Sequence, residues 1–132
     1  MSSIFKPGAP LEEVVRDAPS LARDADIVIV QGGTNNIEKG GINFQPLKKT
    51  LLKLGKRRVI LCKVPPRFDN THLGKKTREA NRGFDGLKEV KNVSTLDPFK
   101  CMMRNHFTRH GLHMNLLGKR LYVKDLAREC RI

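Results

Sequence analysis

The stretch Asp26-Ile-Val-Ile-Val-Gln31, followed by Gly32-Gly33, decides how the rest of the chain is interpreted. A short, uninterrupted run of β-branched apolar residues is typical of a parallel strand that helices cover on both faces. A second run, Arg58-Val-Ile-Leu-Cys-Lys-Val64, is stopped by Pro65-Pro66, and a weaker third strand is predicted within Val90–Leu96. The sequence therefore predicts a sheet built from buried parallel strands.

Helical patterns alternate with these strands. Apolar residues at helical spacing predict a helix over Leu11–Ala22, which Pro19 either kinks or divides into two short helices. Further helices are predicted over Leu47–Leu54, ended by Gly55, over Thr77–Leu87, where two glycines weaken the pattern, and over Met114–Cys130. The alternation predicts one three-layer α/β domain over residues 1–132, with its functional sites at the carboxyl ends of the strands.

Length and cysteine content limit the function classes. The chain has 132 residues, enough for one domain, and its start has no apolar stretch of signal-peptide length. No apolar run approaches the roughly 20 residues that span a bilayer. The three cysteines, Cys62, Cys101 and Cys130, form no CxxC pair, so neither a disulfide framework nor a zinc site is indicated. We expect an intracellular protein, cytoplasmic or nuclear, with no cofactor and no membrane partner.

Charge is the strongest compositional signal. There are 26 Lys and Arg against 13 Asp and Glu, a net charge of +13. Only three of the basic residues but six of the acidic ones precede Lys39, so the excess lies in the later part of the chain. Such asymmetry favours a polyanionic partner such as nucleic acid, although a well-solvated basic surface that keeps the protein soluble explains it equally well. The candidate polyanion-binding residues are Lys56, Arg57, Arg58, Lys75, Lys76, Lys119 and Arg120.

Three segments carry a resemblance to a known family. They are Lys6-Pro-Gly-Ala9, Gly32-Gly-Thr-Asn-Asn36 and Thr108-Arg-His-Gly-Leu-His-Met-Asn115. Their order, spacing and context resemble the SGNH/GDSL hydrolases over nearly the whole chain, from Phe5 to about Ala127. The resemblance implies a flavodoxin-like fold with a mostly parallel sheet.

The resemblance also implies roles for three residues. Gly8 and Asn35 match the positions that donate hydrogen bonds to the oxyanion of the reaction, and His113 matches the catalytic base. Fixed donors at an oxyanion and a histidine that titrates near neutral pH are what ester hydrolysis requires.

Two departures from the family pattern predict that the chain is inactive as written. The family's nucleophilic serine follows a strand that ends in Gly-Asp-Ser, upstream of the part that matches Phe5, and neither Ser2 nor Ser3 has that context. His110 stands three residues before His113, where the family has an aspartate. An imidazole cannot stabilise the imidazolium of the base as a carboxylate does.

Loss of the nucleophile strand also leaves the predicted Ile27–Val30 strand with an open edge, which invites aggregation. The chain is then a fragment of a longer product, or another protein supplies the strand, or Ser3–Lys6 pairs directly with Asp26–Gln31. For function, the alternative to an esterase-family domain is a basic pseudo-hydrolase that binds RNA, similar in kind to the SGNH-like domain of Oskar. Six Phe, one Tyr and no Trp leave few rings for stacking on bases. A chain without any selected activity is a third possibility.

Overall fold

The computed structural model describes residues 9–21, 24–97, 99–100 and 102–130. Within them, one parallel sheet has the strand order β1-β2-β3, with β1 at Ile27–Gln31, β2 at Arg58–Cys62 and β3 at Val93–Leu96. Ile27 lies opposite Arg58, and Val59 lies opposite Val93. The prediction of an α/β domain with a parallel sheet is confirmed.

Helices precede, connect and follow the strands. They are α1 (Leu11–Val15), α2 (Ala18–Leu21), α3 (Thr34–Glu38), α4 (Phe44–Lys53), α5 (Gly74–Gly86) and α6 (Leu116–Cys130), with short 3-10 turns at Thr71–Leu73, Leu87–Glu89 and Arg104–His106. Pro19 lies in the first turn of α2, where its missing N–H is tolerated, so the chain forms two short helices there. The short helix α3 was not predicted.

Central strand β2 separates two hydrophobic clusters. Val59 and Leu61 belong to the larger cluster, whereas Cys62, on the opposite face, belongs to the smaller one. The larger cluster includes buried residues of α1, α4 and α5, namely Leu11, Val15, Leu47, Leu51, Ala80 and Phe84. The smaller cluster includes Tyr122, which lies on α6, and three residues of the segment between β3 and α6, namely Phe99, Met102 and Phe107. The sheet is thus covered on both sides, as a three-layer domain requires.

Two helix starts differ from the sequence prediction. Helix α4 begins at Phe44 because the Asn43 side chain accepts a hydrogen bond from the Gln45 N–H, at 3.3 Å. Pro46 is tolerated in this first turn. Helix α5 begins at Gly74, three residues before its predicted start at Thr77, directly after the 3-10 turn at Thr71–Leu73.

β1 is an edge strand within the part of the chain that the structure describes. In the described part of the chain it pairs with β2 alone, as expected for a strand with an open edge. The Ile29 side chain, in the middle of β1, is 44% exposed. The alternative partner, Ser3–Lys6, lies outside the described residues.

The described residues contain no helix that is both long enough and apolar enough to cross a membrane. Cys62 is a buried free thiol, and Cys130 is also unpaired. Cys101 lies outside the described residues.

Candidate active site

The segments that follow the strands all leave the sheet at its carboxyl edge, because the strands are parallel. The segment after β1 carries Asn35, and the segment after β3 carries His113. The structure therefore places both predicted site residues on connections at the edge where ligand sites form in open α/β sheets. Gly8, the other predicted oxyanion donor, lies outside the described residues.

The turn between β1 and α3 depends on Gly33. Its φ of +99° is left-handed, and a Cβ there would lie 3.0 Å from Ile42 Cδ1 and 3.1 Å from Val64 Cγ2. A glycine is needed for both reasons. The turn delivers Asn35 into the first turn of α3 with its side chain exposed, and within the described residues that side chain makes no hydrogen bond.

Asn36, next to it, is a positioning residue that the sequence pattern did not reveal. It is buried, with 4% of its surface exposed. Its Oδ1 accepts a hydrogen bond from the Leu11 N–H at 2.9 Å, and its Nδ2 donates to Glu12 Oε1 at 3.1 Å and to the Gly41 carbonyl at 3.4 Å. Asn36 thus fixes the start of α1 against the β1–α3 turn. The sequence Asn35-Asn36 does not show which amide faces inward.

His113 lies in a loop whose ends are held together. Phe107 and Met114 form an antiparallel bridge, and the Thr108 N–H donates to the His113 carbonyl at 2.8 Å. The His113 imidazole itself is exposed, as is that of His110. Across the described chain the His113 side chain makes no hydrogen bond and no ion pair.

The His113 loop packs on the segment that follows β2. The Phe68 N–H donates to the Gly111 carbonyl at 3.2 Å. Gly111 has a φ of +79°, and a Cβ there would lie 2.8 Å from the Phe68 carbonyl carbon. This close backbone approach explains the glycine between His110 and Leu112.

Arg67 joins the segment after β2 to α3, and no sequence signal marked it. Its Nε and Nη2 donate to the two carboxylate oxygens of Asp69 at 2.8 and 2.7 Å, and Nη2 also donates to Glu38 Oε1 at 2.5 Å. The Arg67 side chain is 2% exposed. Its hydrogen bonds hold the pKa of Asp69 below the ordinary value. Glu38 is the last residue of α3, so the pair ties the Asn35 helix to the segment that contacts the His113 loop.

The end of β1 is also tied to α6. The Tyr122 hydroxyl donates to Gln31 Oε1 at 2.7 Å. Burial raises the pKa of Tyr122 and also that of the Cys62 thiol, which lies in the same cluster. Cys62 therefore stays protonated at neutral pH and is no substitute nucleophile.

The predicted polyanion-binding residues occupy three separate places. Lys56 and Arg57 precede β2 at the amino edge of the sheet, where Arg58 forms an ion pair with Glu129 at 3.3 Å. Lys75 and Lys76 begin α5, in the layer on one face of the sheet. Lys119 and Arg120 lie on α6, in the layer on the other face. The seven residues thus lie on, or directly before, three different elements of the fold.

Comparison with solved structures identifies the architecture. A GDSL-like lipase from Bacteroides thetaiotaomicron VPI-5482 superposes with a TM-score of 0.72 at 17% identity, over 92% of this chain and 71% of that one. A mutant acetyl esterase with acetate ion gives 0.70 at 16% identity, over 92% and 66%. A member of the lipolytic protein G-D-S-L family from Veillonella parvula DSM 2008 gives 0.64 at 19% identity, over 92% and 74%.

The chain has an SGNH/GDSL-hydrolase-like fold. It spans between 66% and 74% of the length of these three structures, so the fold is present without the full length of its neighbours. The sequence matches no protein-family model and no curated protein sequence. At identities of 16–19% the likeness concerns the fold alone.

Proposed function

We propose that this chain is an SGNH/GDSL-hydrolase-like domain without esterase activity. The observation that carries the proposal is the His113 imidazole, which is exposed and has no carboxylate partner among the described residues. The residue three positions earlier, His110, is exposed as well. A histidine base needs an acidic partner to fix its tautomer and stabilise the imidazolium, and loss of that partner alone costs about 10⁴ in turnover.

The two serines in the described part of the chain support the same conclusion. Ser20 lies in α2, on the connection that precedes β1. Ser94 lies within β3, and its hydroxyl donates to the Val59 carbonyl at 3.5 Å. Neither serine follows the carboxyl end of a strand, where a nucleophile would face Asn35. Ser2 and Ser3 lie outside the described residues.

Ester hydrolysis is the direct test. We expect the wild type and His113→Ala to hydrolyse p-nitrophenyl acetate at the same slow rate, because the members of a triad act as a unit. Surface imidazoles cleave this ester weakly, so His72→Ala, which removes another exposed imidazole, supplies the matched background. A saturable rate that falls by about 10²-fold or more in His113→Ala, with His72→Ala unchanged, would overturn the proposal.

A second candidate function is polyanion binding, with RNA as the partner. Its support is the net charge of +13, together with exposed cations that have no ion pair among the described residues. These are Lys56, Lys75, Lys76, Lys119 and Arg120. Because they lie on different elements of the fold, binding would depend on many dispersed phosphate contacts and would carry little sequence preference.

Filter binding of a single-stranded RNA tests this candidate. Six phosphate contacts to a single strand would weaken retention by about 300-fold between roughly 50 and 200 mM salt. Replacing Lys75, Lys76, Lys119 and Arg120 with Gln should flatten the salt dependence. Lys48→Gln is the control, because Lys48 already pairs with Glu89 at 2.5 Å. Absence of retention at low salt would exclude RNA as the partner.

A further inference from the structure

A cavity of about 330 Å³ opens between the carboxyl ends of β2 and β3 and the start of α5. Arg67, Phe68, Arg78 and Phe99 are among the residues that line it. Neither Asn35 nor His113 lines it, whereas Arg67 and Phe68, which bond to α3 and to the His113 loop, do. The cavity therefore lies beside the candidate active site and does not include its predicted catalytic residues.

Arg67, one of the residues that line the cavity, has an unused hydrogen-bond donor. Its Nε and Nη2 are occupied by Asp69 and Glu38. Its Nη1 is buried and has no partner, and no other buried side-chain nitrogen or oxygen of the described residues is left in this state. Asp69 occupies the Nε–Nη2 edge of the planar guanidinium, so Nη1 is directed away from Asp69. A buried donor without an acceptor costs free energy, and a bound acceptor would remove that cost.

Arg78 supplies a second cation. Arg78 lies one turn into α5. Its side chain forms no hydrogen bond and no ion pair within the described chain. Its Nη1 lies 3.4 Å from the position that a Cβ on Gly74 would occupy, so the side chain folds back over the start of the helix. Arg78 lies close to the positive end of the α5 dipole, which adds to the attraction of this side chain for an anion.

The other residues that line the cavity indicate which chemical groups, besides an anion, a ligand would carry. Phe68 and Phe99 provide apolar surfaces, and each is itself held by a second ring, Phe107 and Tyr122 respectively. Thr71 adds a hydroxyl. One acidic residue lines the cavity, Asp97, and its Oδ1 already accepts a hydrogen bond from the Phe99 N–H at 3.1 Å. Arg67 Nη1, the Arg78 guanidinium and the Thr71 hydroxyl remain as donors, and they favour a ligand that carries acceptor oxygens.

We propose that this cavity binds a small organic anion. Its carboxylate or phosphate oxygens accept hydrogen bonds from Arg67 Nη1 and from Arg78, and its apolar part lies between Phe68 and Phe99. Arginine favours both kinds of anion because its planar donors match their oxygens.

Titration of the folded chain with benzoate, phenyl phosphate and neutral benzyl alcohol, followed by amide chemical shifts, tests the proposal. We expect saturable shifts around Thr71, Gly74 and Phe99 with at least one of the two anions and none with benzyl alcohol. Benzoate alone would identify a carboxylate site, and phenyl phosphate alone a phosphate site. Arg78→Gln should raise the Kd at least about tenfold.

Lys76→Gln is the matched control, since it removes the same charge from an exposed residue of the same helix. It should change the Kd by less than about twofold. Equal weakening by Lys76→Gln and Arg78→Gln would reduce the binding to general charge attraction and overturn the proposal. Absence of saturation with both anions, or equal affinity for benzyl alcohol, would do the same. Unchanged binding in His113→Ala separates this site from the candidate active site.

Discussion

Asn36 is the polar side chain on which the β1–α3 turn depends. Its amide accepts from the Leu11 N–H and donates to the Glu12 carboxylate, so both ends of the amide are used. An aspartate in its place would keep the acceptor but would lose the donor. It would also set two carboxylates against each other in a buried position.

We therefore expect Asn36→Asp to lower the free energy of unfolding by about 1–3 kcal/mol at neutral pH. Glu12→Gln in the same chain should recover most of this loss. The introduced glutamine amide can donate to the new carboxylate and still accept from the Asn43 N–H, which Glu12 binds at 2.9 Å. Urea denaturation measures both effects. Asn35→Asp, on the exposed neighbour, is the control and should change stability by less than about 0.5 kcal/mol. Absence of rescue would show that Glu12 is not the interacting partner.

Asp69 makes a pH-dependent contribution to stability. Arg67 holds the pKa of this carboxyl below its ordinary value of 3.8, so Asp69 stays ionised in the folded chain where the unfolded chain already takes up a proton. The contribution is complete above the unfolded pKa and is lost as the pH falls through the lower folded pKa.

We expect Asp69→Asn to lower the free energy of unfolding by about 1–3 kcal/mol near pH 7. The difference from the wild type should shrink as the pH falls below about 4, where the wild type loses the same contribution. Urea denaturation across the acid range measures this. A difference that stays constant with pH would contradict the linkage to Arg67. Asp125→Asn is the control, because Asp125 meets the exposed Arg128 only at 3.7 Å.

At the scale of residues, the sequence predicted where the site residues lie in the fold better than it predicted which side chains are buried and what they bind. Asn35 and His113 lie on connections at the carboxyl edge, where their motifs placed them, and their catalytic roles remain predictions. Arg67 and Asn36 were not singled out as structural residues, because their importance comes from burial and from partners distant along the chain. Arg67 follows Pro65-Pro66 and has the sequence context of a surface loop residue.

At the scale of elements, two glycines in the last turn of α5, Gly83 and Gly86, differ in the space that they leave for a side chain. A Cβ on Gly83 would lie 2.2 Å from Phe44 Cζ, whereas one on Gly86 would meet nothing within 4 Å. Phe44 packs edge-to-face on Phe84, with ring centroids 5.7 Å apart. Because Gly83 has no side chain, the ring of Phe44, the first residue of α4, packs directly against the backbone of α5 at this position.

The two alanine substitutions should act in opposite directions. Gly86→Ala should stabilise the chain by about 0.5–1 kcal/mol through helix propensity. Gly83→Ala should destabilise it by about 1–3 kcal/mol, because the Phe44 ring must leave its place against Phe84. Thermal unfolding of the pair measures both effects. Stabilisation of similar size in both variants would show that Phe44 moves freely and that the contact contributes little.

The existence of the strands and of the long helices was predictable from the pattern of apolar residues, whereas the residues at which the helices begin were not. The run after Asp26 and the run after Arg58 became β1 and β2 because apolar β-branched residues fit a covered parallel sheet. Helix α4 begins ahead of its leucine stripe because a cap, Asn43, determines its start. Helix α3 has five residues and no apolar stripe, so no periodic signal marks it.

At the scale of the whole molecule, the fold class was predictable because alternation of strands and helices permits few architectures. The distribution of charge was not. The net charge of +13 is a property of composition, but only the topology shows that the basic pairs lie at opposite edges of the sheet and in opposite layers. Composition alone therefore does not show where a polyanion would contact the molecule.

The hydrogen bond from Tyr122 to Gln31 joins residues that are 91 positions apart in the chain. Ribosomes synthesise the chain from its amino end at about 5–20 residues per second, so β1 is complete roughly 5–20 s before Tyr122 is added. During that interval the face of the sheet that carries Cys62 has no α6 to cover it, and β1 has no anchor to the last helix. Biogenesis of this small domain therefore includes a period in which an apolar face of the sheet is still uncovered.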